Sequence, residues 1–146
     1  MNQFEARRVQ IDAGAMSAGN LHAPAANTAA VVTLPAVEGE CHVVDGLAWS
    51  YAGTGTLSGG NLKVELAGTT VFSMDVSAKG QDTVPFRQRG GPGEAVVVTL
   101  AAGGADVSGK VSLLGHGRTW AGPLPGMVGE LDFSDYANSG LLVALA

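Results

Sequence analysis

The chain has 146 residues, 46 % of them hydrophobic and 14 % charged, with a formal net charge of −5 at pH 7. That length suits one domain around a single core, and the composition is too apolar and too weakly charged for disorder. Eight Lys and Arg are too few to coat nucleic-acid phosphates or an anionic membrane surface.

The first 28 residues are rich in Ala, Gly and Asn, and are expected to form an N-terminal arm. The opening MNQFEARRVQ lacks the apolar stretch of a secretory signal, so synthesis in a cytoplasm is expected, with use there or in a particle assembled there. An arm such as DAGAMSAGNLHAPAANTAA buries little surface of its own, while ordering its backbone costs ~1–2 kcal/mol per residue. It is therefore expected to order only against a partner or against copies of the same chain.

Residues 29–116 are expected to form the folded domain. They alternate apolar and polar residues in short bursts that stop at Gly or Pro, the pattern of half-buried antiparallel strands. AAVVTLP ends at Pro35, which cannot donate to a ladder. In CHVVDGLAWSY the odd positions Cys41, Val43, Leu47, Trp49 and Tyr51 are expected to share one face, with Asp45-Gly46 marking a bulge or bend. Leu62, Val64 and Leu66 are expected to point inward, as are Phe72, Met74 and Val76. Ala67-Gly68 between these two runs fits a tight hairpin turn. AVVVTL and VSGKVSLLG complete the set, burying Val96, Val98, Leu100, Val107, Val111 and Leu113. Six to eight such strands without helical spacing predict an antiparallel β-sandwich, jelly-roll-like in topology. Residues 117–146 lose the alternation and gather Gly and Pro, and are expected to form a C-terminal extension lying on the domain or on a neighbouring subunit. Their end, LLVALA, is strand-sized and well short of the ~20 apolar residues of a membrane span.

Groups capable of chemistry are sparse. Cys41 has no second cysteine to pair with, and its place in an alternating strand predicts a small buried apolar role. His22, His42 and His116 are scattered. Glu38, Glu40 and His42 alternate and could share a face, but a solvated polar face is the commoner outcome than a metal site. Glu130, Asp132 and Asp135 lack calcium-loop spacing. Gly53 and Gly55 in GTGTLSGG lack the Lys-Ser/Thr of a phosphate loop and fit a flexible hairpin loop better. No serine lies in a GxSxG elbow. No catalytic group, metal or cofactor is therefore expected. Trp120 fits an anchor at a subunit contact better than an exposed sugar platform. Arg87 and Arg89 could pair with a neighbour's carboxylates or cap a solvated loop.

Asp75-Val76, Pro85-Phe86, Gly91-Pro92-Gly93, Ala101 to Ala105 and Gly109 to Gly115 together form a succession of strands and turns that resembles small structural proteins of tailed bacteriophages. The resemblance covers about residues 29–116. It implies a virion component, a capsid decoration or cement protein that sits on the head shell as a homotrimer and binds the major capsid protein. Under that reading the candidate subunit or capsid contacts are Phe4, Arg7, Arg8, Arg87, Arg89, Trp120, Leu141 and Leu142. The alternative is a receptor- or glycan-binding β-sandwich module of a phage fibre or tail.

Overall fold

The computed structural model describes residues 20–120, which form nine strands and no α-helix. In chain order these are β1 (Leu21–His22), β2 (Ala30–Leu34), β3 (Glu40–Gly53), β4 (Asn61–Leu66), β5 (Thr69–Asp75), β6 (Gly80–Arg89), β7 (Val96–Leu100), β8 (Val107–Leu113) and β9 (His116–Trp120). One sheet has the order β1-β8-β3-β6, with β9 also paired to β3; the other runs β2-β7-β4-β5. Every pairing is antiparallel. The order of β1 to β8 over the two sheets is that of a jelly roll, as the alternation predicts, with β9 added beside β3.

The core follows from that alternation. In the four-stranded sheet, Val32, Val98 and Val64 form one rung across β2, β7 and β4, flanked by the rung Ala30, Leu100 and Leu62. All six are buried. From the facing sheet Val44, Leu47, Tyr51, Val107 and Val111 close the core. Each fully buried Val or Leu contributes about 1.5–3 kcal/mol. Phe72 of β5 meets Phe86 of β6 edge-on, with ring centroids 5.3 Å apart, and ties the two sheets together along one margin.

Two turn expectations have a backbone basis. Ala67 and Gly68 both take positive φ, 47° and 83°, and close the two-residue β4–β5 hairpin. At Gly46, φ is 86°, and β3 kinks there. The kink changes which residues face inward. Beyond it Leu47, Trp49 and Tyr51 pack on the core as expected, but before it Val44 faces the core. Cys41 and Val43 therefore lie on the opposite face from Leu47, which corrects the expectation of one continuous odd-numbered face.

Strand pairing also reaches beyond residues 29–116 at both ends. Leu21–His22 pairs with β8, and His116–Trp120 pairs with the first half of β3. The β6 strand has no counterpart in the sequence reading, because Pro85 and a run of exposed polar residues disguise it. It is an edge strand, where proline is tolerated. Pro85 and Phe86 together oppose Gly46 in a bulge, between the pairs Asp45–Arg87 and Leu47–Val84.

Candidate functional site

The outer face of the five-stranded sheet carries a trough of about 350 Å³ lined by Ala48, Trp49, Ser50, Gln81, Asp82, Thr83, Lys110 and Ser112. Strand register explains its shape. Ser50 of β3 lies between Gln81 of β6 and Lys110 of β8, and Ala48 lies between Thr83 and Ser112. Paired residues share a face, so these six side chains form two rungs across three strands. The central strand supplies the smallest pair, Ala48 and Ser50, while longer side chains stand on both flanks. The flanking strands are two inter-strand spacings apart, about 9.5 Å. The volume lies within the usual range of ligand sites, ~300–1,000 Å³.

The lining is polar and supplies hydroxyl, amide and ammonium groups. Alternation places Asp82 on the other face from Gln81 and Thr83, and its Oδ1 accepts the Thr83 N–H at 2.8 Å. Trp49 likewise packs its ring on the core side, with its centroid 6.1 Å from that of Tyr51. Its Nε1 is buried without a hydrogen-bond partner. The trough therefore offers hydrogen-bonding groups and no aromatic platform. Sequence reading had no way to find it, because Ala48, Ser50, Thr83 and Ser112 carry no motif and converge only through register.

At the other end of β3 the outer face carries Cys41, Val43 and Asp45, beside Arg87 and Arg89 of β6. Arg87 pairs with Asp45 at 3.2 Å, on a largely exposed surface, so its carboxylate partner lies within the chain. Arg89 approaches the Cys41 Sγ at 3.5 Å, and Cys41 is buried. Trp120 is half-buried and lies against Gly39, where an added Cβ would stand 3.1 Å from its ring. Phe4, Arg7, Arg8, Leu141 and Leu142 lie outside the described residues, as do Glu130, Asp132 and Asp135.

The remaining candidates resolve into structure. Glu40 accepts a 2.8 Å hydrogen bond from Arg118. His42 is buried, with its Nε2 2.7 Å from the Pro35 carbonyl and its Nδ1 3.0 Å from His116 Nε2. A carbonyl can only accept, so His42 Nε2 carries a proton, and in the neutral pair His116 Nε2 donates to His42 Nδ1. Glu38 is exposed, and no group of three metal-ligating side chains occurs among the described residues. His22 lies apart from both and accepts the Val31 N–H through Nδ1 at 2.8 Å. The Gly53–Gly55 segment is neither a phosphate loop nor a hairpin, since it carries the chain from β3 in one sheet to β4 in the other. It is held tightly: Lys79 Nζ donates to the carbonyls of Gly53 and Gly55 at 2.9 and 2.6 Å. A Cβ at Gly55 would stand 1.9 Å from the Ala105 carbonyl oxygen, so glycine is required by close backbone approach.

No family model matches the chain, and no curated protein matches it in sequence. Among solved structures it is similar to dimeric latent PorU from Porphyromonas gingivalis, at 10 % identity and a TM-score of 0.42, over 78 % of this chain and 13 % of that one. It is similar to the secreted serine protease VesC from Vibrio cholerae at 12 % identity and a TM-score of 0.37, over 68 % of this chain and 21 % of that one. The chain thus spans well under two thirds of either protein. A carbohydrate-binding module, CBM36, in complex with calcium and xylotriose is similar at 12 % identity and a TM-score of 0.35, over 80 % of this chain and 96 % of that one. At these identities each likeness is one of β-sandwich fold alone.

Proposed function

We propose that this protein is a non-enzymatic binding module whose ligand is a glycan chain laid along the outer face of the five-stranded sheet. The observation that carries this reading is the trough: small residues at the centre, and hydroxyl, amide and ammonium groups on both flanks. Sugars present alternating donors and acceptors, and side chains such as Ser50, Gln81, Thr83 and Ser112 can meet them in either role. Each neutral hydrogen bond contributes about 0.5–1.5 kcal/mol net, and no ring stacks on the sugar, so single-site affinity is modest. Display of several copies on one particle would raise avidity without any new contact.

The capsid-decoration expectation rests on the strand-and-turn resemblance, and no geometry among the described residues adds to it. The test is retention on an immobilised glycan array, comparing the unaltered protein with Ala48→Leu, which fills the trough floor on the solvent side. Glycan retention that is lost in the variant, with thermal stability unchanged, supports the reading. A chain that is retained by no glycan, yet sediments with phage heads lacking their decoration protein, would return the assignment to capsid binding.

A further inference from the structure

We infer that the glycan held in the trough carries an anionic substituent, a carboxylate or a sulfate ester, and that Lys110 receives it. This rests on the trough being the binding site. The described residues include six Lys and Arg side chains. Lys63 pairs with Glu65, Arg87 with Asp45 and Arg118 with Glu40. Lys79 is committed to two backbone carbonyls, and Arg89 approaches the Cys41 sulfur. Among the described residues only Lys110 is left with neither a hydrogen bond nor an ion pair to another of them, and it stands on the flank of the trough.

Its surroundings suit an anion. Ser50 is its register partner on β3, and Ser112 is two residues along β8, on the same face. Two hydroxyls thus flank the ammonium and can donate to the same oxygens. The one carboxylate in the lining, Asp82, belongs by alternation to the opposite face and accepts the Thr83 N–H. A single ammonium is a point charge and matches a singly charged group.

The chain's own net charge makes the inference sharply testable. A protein of net charge −5 repels polyanions at long range, so added salt would strengthen a contact that did not involve a local cation. Salt weakening marks a direct ammonium–anion contact, because the Debye length falls from ~10 Å at 0.1 M to ~3 Å at 1 M ionic strength.

The experiment is titration calorimetry of the full chain with polygalacturonate, dextran sulfate and uncharged dextran. Lys110→Gln and Lys110→Arg are measured alongside, each first shown to have the melting temperature of the unaltered protein. Binding to an acidic polymer that falls about tenfold in Lys110→Gln, stays within about threefold in Lys110→Arg, and weakens with salt supports the inference. Preference between polygalacturonate and dextran sulfate identifies the substituent. Equal affinity for dextran, unchanged affinity in Lys110→Gln, or binding to neither acidic polymer overturns it. Neutral-glycan binding that Ala48→Leu abolishes and Lys110→Gln spares would leave the trough assignment standing while removing the anion.

Discussion

Replacing Tyr51 with Phe removes one oxygen from the middle of the core and leaves the ring in place. Tyr51 is 1 % exposed, and its hydroxyl donates to the Ala101 carbonyl at 2.6 Å, joining β3 of one sheet to the end of β7 in the other. The ring itself lies over Gly103 and Gly109, where an added Cβ would come within 3.0 and 3.2 Å of it, so the phenyl group of the variant should keep its seat. The loss is then one hydrogen bond of about 1 kcal/mol together with part of the ~1–3 kcal/mol cost of an unsatisfied buried carbonyl. We expect about 2 kcal/mol in total, which lowers the melting temperature by roughly 10 °C for a domain of this size. Urea unfolding followed by tryptophan fluorescence should show a lower midpoint at unchanged slope. A second readout uses pH. Burial raises the Tyr51 pKa above 10.0, outweighing the lowering effect of a backbone hydrogen bond at Asn61. A raised folded-state pKa means that the folded chain holds this proton more tightly than the unfolded chain. The stabilisation is fully present below pH 10 and is lost as pH climbs toward the folded-state pKa. Tyr51→Phe removes that contribution, so the gap in stability between the two proteins should narrow above pH 10. A variant within 0.5 kcal/mol of the parent at pH 7, with the same alkaline profile, would refute the reasoning.

The other structural predictions concern backbone and thiol. Gly55→Ala forces a Cβ against the Ala105 carbonyl oxygen and should destabilise the domain by about 2–4 kcal/mol, in the range of severe single substitutions; a denaturation midpoint equal to the parent's would show that the 53–55 segment can move aside. Ala67→Asn should stabilise by a few tenths of a kcal/mol, since Ala67 has φ 47° and Asn-Gly favours this turn; a melting temperature below the parent's would refute this. Cys41 is buried and should resist a thiol reagent in native buffer while reacting promptly in urea; rapid native labelling would mean that the β3–β9 end opens readily.

The strands that can be read in the sequence are those whose alternation is enforced by burial on one side. β2, β4, β7 and β8 turn every second residue inward, and most of these are Val or Leu, so their faces are legible. β1, β6 and β9 are not. Leu21–His22 is too short to show a period, Pro85 and polar residues mask an edge strand, and HGRTW buries chiefly Gly117. The kink at Gly46 could be suspected from Asp45-Gly46, but its effect on Cys41, Val43 and Val44 could not, because one change of phase re-aims every residue before it. The six side chains of the trough lie on three strands that are distant in the chain.

By itself the sequence determined the all-β class, the jelly-roll-like sandwich, the Ala67-Gly68 turn and most of the core, because each depends on local period or local backbone preference. The tertiary structure alone decided the rest: which residues stand side by side on the outer face, that Lys110 has no partner among the described residues, and that Gly53 and Gly55 are required by a neighbouring backbone. Those facts depend on register between strands up to sixty residues apart (Ser50 with Lys110), and no local pattern encodes register on a face that water, rather than a core, selects.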